Sequence, residues 1–504
     1  MKLSHILSTF SLVAILASCT SHPSVPSDAQ PENRIPRILP DYTEVTIPSN
    51  ICPLNFSVQE EATDVVARLT YPGGEQTYGE GHKVLIDEDE WKDILSAAKG
   101  QSIKVEVFAN INDNWKSFNA FNIYVAEEEI DPYISYRLIQ PSYVAYENLS
   151  ISQRNITTFE ETEIYNNMLV STEAKGQCIN CHSYQNYKTD NMLFHMRQGL
   201  GGTMIVDNGE LKKVDLKTEQ TLSAGVYPAW HPNKRLIAFS TNKTGQSFHT
   251  KDIAKIEVQD TESDLILYDL DKNEVSIISE LDDELEVFPT WSPDGKKLYF
   301  CSAHFEYKND SLKKETEMIQ RYKEVKYDLC AVDFDPETKA FSNMETIYAA
   351  GSDTTINKSV TLPRVSPDGK YLLFAMAEFG CFHVWHHDAD IYIMDLKTKD
   401  VKALTAANSK YSESYPTWSS NGRWIMIASR RDDGNYTRPC FAYFDKQGKV
   451  HKAFELPQQD PDFYTYFLRS YNRPEFMIEP VKITPQQFAA KAKEDAVPAN
   501  YANY

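Results

Sequence analysis

The chain has 504 residues and a formal net charge of −21. That length supplies enough apolar surface for two or more domains with full cores. The acidic balance lacks the basic patches that nucleic acid and anionic lipid surfaces require, so neither is expected as a partner.

At the N-terminus, Met1-Lys2 is followed by an apolar run from Ile6 to Leu16 and then by Ala17-Ser18-Cys19. The run is too short to span a bilayer as a helix and suits the hydrophobic region of an export signal. Leu16-Ala17-Ser18-Cys19 resembles a bacterial lipobox. The resemblance implies that residues 1–19 are a signal peptide and that Cys19 is lipidated, anchoring the chain to a membrane of the cell envelope. Thr20 is not acidic, which points to an outer-membrane lipoprotein facing periplasm or surface. Residues 20–40 are Ser-, Pro- and Gln-rich without periodicity and read as a flexible tether.

From 41 to 130, period-2 runs such as Ile103-Lys104-Val105-Glu106-Val107 and Phe121-Asn122-Ile123-Tyr124-Val125 predict a β-sandwich of immunoglobulin-like type. One helix interrupts it, with acids from Asp87 at its start and Gly100 at its end. Nothing in this stretch carries chemistry. It reads as a spacer or docking module.

Residues 131–202 contain the first strands of the larger domain and a distinctive pentapeptide, Cys178-Ile179-Asn180-Cys181-His182. In a chain of this composition roughly 0.003 chance occurrences of C-x-x-C-H are expected. The pentapeptide resembles the haem-attachment motif of c-type cytochromes. The resemblance implies one covalent haem c held by Cys178 and Cys181, with His182 as proximal iron ligand. His195 is then the preferred sixth ligand, ahead of Met192 or Met196, and an open position would permit small-molecule chemistry. The main alternative is a plain disulfide between Cys178 and Cys181. A zinc site lacks a second ligand pair, and a thioredoxin-like centre lacks its βαβ setting.

Residues 203–478 are organised by a repeat. "YPAWHPNKRLIAFST" begins at Tyr227, "FPTWSPDGKKLYFCS" at Phe288, "LPRVSPDGKYLLFAM" at Leu362 and "YPTWSSNGRWIMIAS" at Tyr415. Each is a strand, a tight turn and a more apolar strand; in Ser292-Pro293-Asp294-Gly295 the Pro and Gly suit the turn. The pattern resembles the TolB-type β-propeller repeat, which implies an all-β fold of about six blades. Asn208-Gly209 predicts a hairpin, and Phe305 to Val325 is a charged insertion with helical character. Strands from Tyr133 are expected to pair with "DFYTYFLRSY" from Asp462, closing the ring. In the tail, 479–504, Thr484-Pro485 opens a short helix.

Of eight cysteines, Cys52, Cys301, Cys330, Cys381 and Cys440 remain once Cys19, Cys178 and Cys181 are set aside. Cys301 and Cys330 fall on neighbouring strands and are the favoured disulfide. "FHVWHHDAD", from Phe382, groups His383, His386, His387, Asp388 and Asp390 and reads as a polar loop rather than a metal site. No G-x-S-x-G, H-E-x-x-H or P-loop occurs. The expected function is electron transfer or redox sensing with an envelope partner protein, as electron donor or acceptor. The alternative is a haem-free TolB-like interaction scaffold.

Overall fold

The computed structural model describes residues 22–140, 148–170, 178–251 and 254–502. The lipobox Cys19 and its signal lie outside the described residues.

The chain is all-β in its main domain, and that domain is a β-propeller. Among the described residues, six antiparallel units of four strands follow one another, with each inner strand beside the inner strand of the next unit. The inner strands are Ile179–Gln185, Val226–Trp230, Glu284–Trp291, Ser359–Val365, Glu413–Trp418 and Ser470–Met477. The ring closes because Ser470–Met477 pairs with Tyr133–Ile139, joining the C-terminal part of the chain to the start of the domain. The closing strand begins at Ser470. Phe463–Tyr466, where the sequence predicts strand, is a single helical turn.

Turn chemistry holds neighbouring units together. Gly295 has φ +71°, and a Cβ there would lie 2.3 Å from the His231 ring of the preceding unit. His231 Nε2 lies 2.9 Å from the Gly295 carbonyl. Trp291 and Trp418 repeat a second staple: each indole N–H donates to a carbonyl of the preceding inner strand, Ala229 at 3.0 Å and Arg364 at 3.2 Å. The Trp of the repeat is therefore an inter-unit anchor, buried on one side and hydrogen-bonded at its polar edge.

The N-terminal region has two sheets. The larger is built on Asp64–Tyr71 and Ser102–Ile111, the smaller on Ile38–Leu39, Phe56–Val58 and Lys83–Val84. Helix Glu88–Ala98 packs Trp91, Ile94, Leu95 and Ala98 inward, with Asp87 capping its first turn and Gly100 at φ +74° beyond its end. The tether is shorter than expected. Gln30–Pro31 and Ile38–Leu39 are already paired in these sheets, and Arg34 and Arg37 both bind Glu60. Residues 30–40 read as tether because two-residue strands leave no periodicity to see.

One core runs from this region into the propeller, shared by Trp91, Phe121, Trp424, Phe441 and Tyr471. Asp131 accepts the Ser420 amide at 2.6 Å, and Trp424 Nε1 donates to Glu129 O at 3.1 Å. The Asn208-Gly209 turn, helix Lys314–Arg321 within the charged insertion and helix Pro485–Ala492 with its Thr484 capping box all form.

The favoured disulfide does not form: Cys301 and Cys330 are both free thiols. The register explains why. Cys301 faces Leu329 and Phe300 faces Cys330, so the thiols are offset by one residue and project from opposite sides of the sheet.

Candidate functional site: the central channel

The inner strands share a backbone feature. In each, two residues oppose one on the neighbouring strand, a β-bulge. The slips fall between Asn180 and Ser183, Val226 and Ala229, Val287 and Thr290, Thr361 and Arg364, and Ser414 and Thr417. The closing strand slips between Asn472 and Glu475. The first bulged residue always has positive φ: Cys181 at 58°, Tyr227 at 50°, Phe288 at 57°, Leu362 at 58°, Tyr415 at 47° and Arg473 at 51°. The second is Pro228, Pro289, Pro363, Pro416 or Pro474 in five copies, and His182 in the other. Proline suits the position because a bulge leaves its N–H out of the ladder.

Cys181-His182 of the C-x-x-C-H pentapeptide is thus the one copy of this bulge among the six that lacks the proline. Its side chains are spent on packing. Cys181 is 2% exposed and joins the core cluster of Tyr227, Phe288, Leu362 and Tyr415. Its sulfur accepts the Tyr227 amide at 3.5 Å. His182 is 1% exposed, neither ring nitrogen has a partner, and burial pushes its pKa down to about 3. Cys178 is half-buried beside Arg137 Nη1 at 3.9 Å.

The other expected iron ligands are divided. His195 lies opposite Asn180, contacts Thr203 Oγ1 at 3.2 Å, and is also pushed down to about 3 by burial. Met192 and Met196 are on the other face of that strand, fully buried in a cluster with Ile179 and Phe194. A covalent haem needs both thiols and the proximal imidazole on one accessible wall. Here the second thiol and the imidazole are sealed in an inter-strand core, so the residues as folded do not fit the group.

Among the described residues no group of three or more His, Cys, Asp and Glu could hold a metal ion. The histidine-rich stretch is not a polar loop. His383–Trp385 is a short 3-10 turn, and His383 is buried with Nδ1 2.9 Å from Thr361 Oγ1. His386 Nε2 lies 3.0 Å from the buried Glu257 carboxylate.

The residues just past the bulges line a channel cavity of about 340 Å³. Its charged members were not singled out by sequence. Glu475 accepts from Arg364 Nη2 at 2.7 Å and from Arg473 Nε at 3.0 Å, with Thr417 Oγ1 3.5 Å away. Burial would raise the Glu475 pKa, but the two guanidiniums outweigh it and hold the carboxyl below its ordinary value. Burial lowers Arg364 despite the Glu475 contact, whereas Arg473 is raised because the charges of Glu475 and its neighbours outweigh burial. A sequence signal existed: Arg473-Pro474-Glu475-Phe476 repeats the register of Tyr415-Pro416-Thr417-Trp418.

At the other end of the domain a second cavity of about 380 Å³ is lined by Phe248, Ile256, Trp385, Tyr436 and others. Phe248, at the tip of the long hairpin Leu236–Phe248 and Ile256–Asp269, is 58% exposed.

No family model and no curated protein matches the sequence. Solved structures that it resembles include TolB from Acinetobacter baumannii, at 12% identity over 77% of this chain and 85% of that one, TM-score 0.42. An oligogalacturonate lyase from Vibrio parahaemolyticus is 13% identical over 60% and 85%, TM-score 0.31. The tricorn protease is 11% identical over 71% and 33%, TM-score 0.33. The propeller assignment stands on the strand pairings themselves.

Proposed function

We propose that this chain is a haem-free, six-bladed propeller scaffold of the cell envelope that docks a partner protein. In this reading Cys19 carries the lipid anchor, at the outer membrane, and the N-terminal sheets are an immunoglobulin-like spacer. The observation that carries it is the place of Cys181-His182. The pair occupies the bulge that five sister strands fill with a residue and proline, and its side chains are consumed by the core. Propellers serve as scaffolds because the ring fixes the loops at both channel ends while leaving their sequences free.

The export signal supports the compartment. The cavity framed by Phe248, Trp385 and Tyr436 supplies apolar and aromatic groups of the kind that anchor protein interfaces.

Two measurements test the proposal. A pyridine haemochrome spectrum and intact mass of the exported protein should show no porphyrin on the peptide spanning Cys178 to His182. A porphyrin adduct there would replace the scaffold reading with the redox one. In living cells, a photo-crosslinker at Phe248 should trap a defined partner, and the Cys178→Ser, Cys181→Ser double variant should trap it equally well. Loss of that adduct in the double variant would tie docking to the thiols and overturn the proposal.

A further inference from the structure

The channel cavity holds an unbalanced charge. Arg364 and Glu475 line it, and Arg473 stands behind Glu475, so two guanidiniums share one carboxylate. The Arg364 side chain is 25% exposed on the cavity, so an anion entering there meets a guanidinium that proteins do not deprotonate. Of the Arg364 donors, Nη2 is taken by Glu475, so the rest of its planar fork is available to a second carboxylate. The imbalance is local and runs against a chain whose net charge is −21.

The walls define the remainder of the ligand. Trp291, Trp418 and Phe476 contribute aromatic surface, and Thr417 adds a hydroxyl beside the charges. A volume of about 340 Å³ far exceeds a bare inorganic ion and falls at the small end of the range for organic ligand pockets. The excess of a single positive charge favours a monoanion. A phosphate dianion would leave the cavity with surplus negative charge beside Glu475.

We infer that the channel cavity is a binding site for a small organic monocarboxylate, with its carboxylate on Arg364 and its apolar body against Trp291, Trp418 and Phe476. The site is independent of partner docking at the opposite end, so either assignment can fail alone.

Quenching of intrinsic Trp fluorescence tests it, with phenylacetate and butyrate as probes, phenylacetamide as the neutral isostere and inorganic phosphate as the dianionic control, in chloride-free buffer. Phenylacetate should saturate, bind at least tenfold more tightly than phenylacetamide, and raise the melting temperature. Arg364→Gln should weaken phenylacetate at least tenfold without changing phenylacetamide, and Arg364→Lys should fall between. Comparable melting of the free variants will show that each is folded. Equal binding of acid and amide, tighter binding of phosphate, or failure of both carboxylates to saturate the wild-type protein would overturn the assignment.

Discussion

The inner strand Ile179–Gln185 and the inner strand Glu284–Trp291 bend in the same place and by the same slip, yet they fill the bend differently. In one the bulge is Phe288-Pro289, with the Phe288 ring edge-on to Tyr227 at 4.6 Å. In the other it is Cys181-His182, a small thiol and an imidazole with two unpartnered nitrogens. Proline therefore accommodates the bulge without causing it. The cause is packing: inner strands must converge on one axis, and a bulge sharpens the local twist. Where geometry is imposed by the ring, side chains are free to diverge, and the divergent copy has acquired the spacing of a haem motif.

The contrast can be broken most forcefully at the aromatic copy. Phe288→Ala removes a ring that is 5% exposed and packs on Tyr227 and Phe382. It should cost about 3–5 kcal/mol in denaturant unfolding. Cys181→Ala, at the same ring position, deletes only a thiol and should cost about 1 kcal/mol. Equal losses would mean that bulge geometry, and not its side-chain content, sets the stability of the ring.

The same comparison shows how much the sequence disclosed. Four copies of the repeat were visible because Trp or Pro recurs in a fixed frame, and with them the propeller. The copies at Cys181 and Arg473 were hidden: each keeps the bulge but lacks the turn, such as Ser292-Pro293-Asp294-Gly295, that follows it in the four visible copies. The residue frequencies behind C-x-x-C-H carry no trace of the fact that its last two positions belong to a strand already specified by five sisters. The Arg364–Glu475–Arg473 cluster escaped because Arg364 is more than a hundred residues from the strand that carries Arg473 and Glu475, and the two strands meet only when the ring closes. The Cys301–Cys330 bond failed on a one-residue register that adjacency of strands does not reveal.

A smaller change sharpens the contrast by converting the odd copy into the common one. His182→Pro places proline where the backbone already slips and removes two buried ring nitrogens that lack partners. Relief of unsatisfied burial should stabilise the protein by about 1 kcal/mol in thermal or urea unfolding. The gain should grow in acid. The folded His182 resists protonation down to about 3 whereas the unfolded chain takes up the proton near 6.5, so the wild type loses stability as pH falls across that window. A marked loss of stability in His182→Pro would show that the imidazole, and not the repeat, is what this position requires.

The smallest effect is a slope. Glu286, on the same inner strand as Phe288, is fully buried. Burial, reinforced by Asp264 and Glu284 and opposed by the Ser279 hydroxyl, pushes its pKa up to about 7. Here the sign is opposite to that of His182. Between about 4.5 and 7 the folded protein holds a proton that the unfolded chain has released, so this group makes stability fall as pH rises. Asp264, pushed up to about 6 by burial, contributes the same sign over a lower window. Glu286→Gln keeps the shape and removes the titration, so its stability should vary less between pH 5 and 7 than that of the wild type while remaining close to it at pH 5. Glu284→Gln, with its carboxyl 25% exposed and bonded to Ser302 and His304, serves as the control that should leave the slope nearly as it was. If the two variants changed the slope alike, the pH dependence would belong to the acidic surface as a whole and not to the one carboxyl enclosed behind the aromatic bulge.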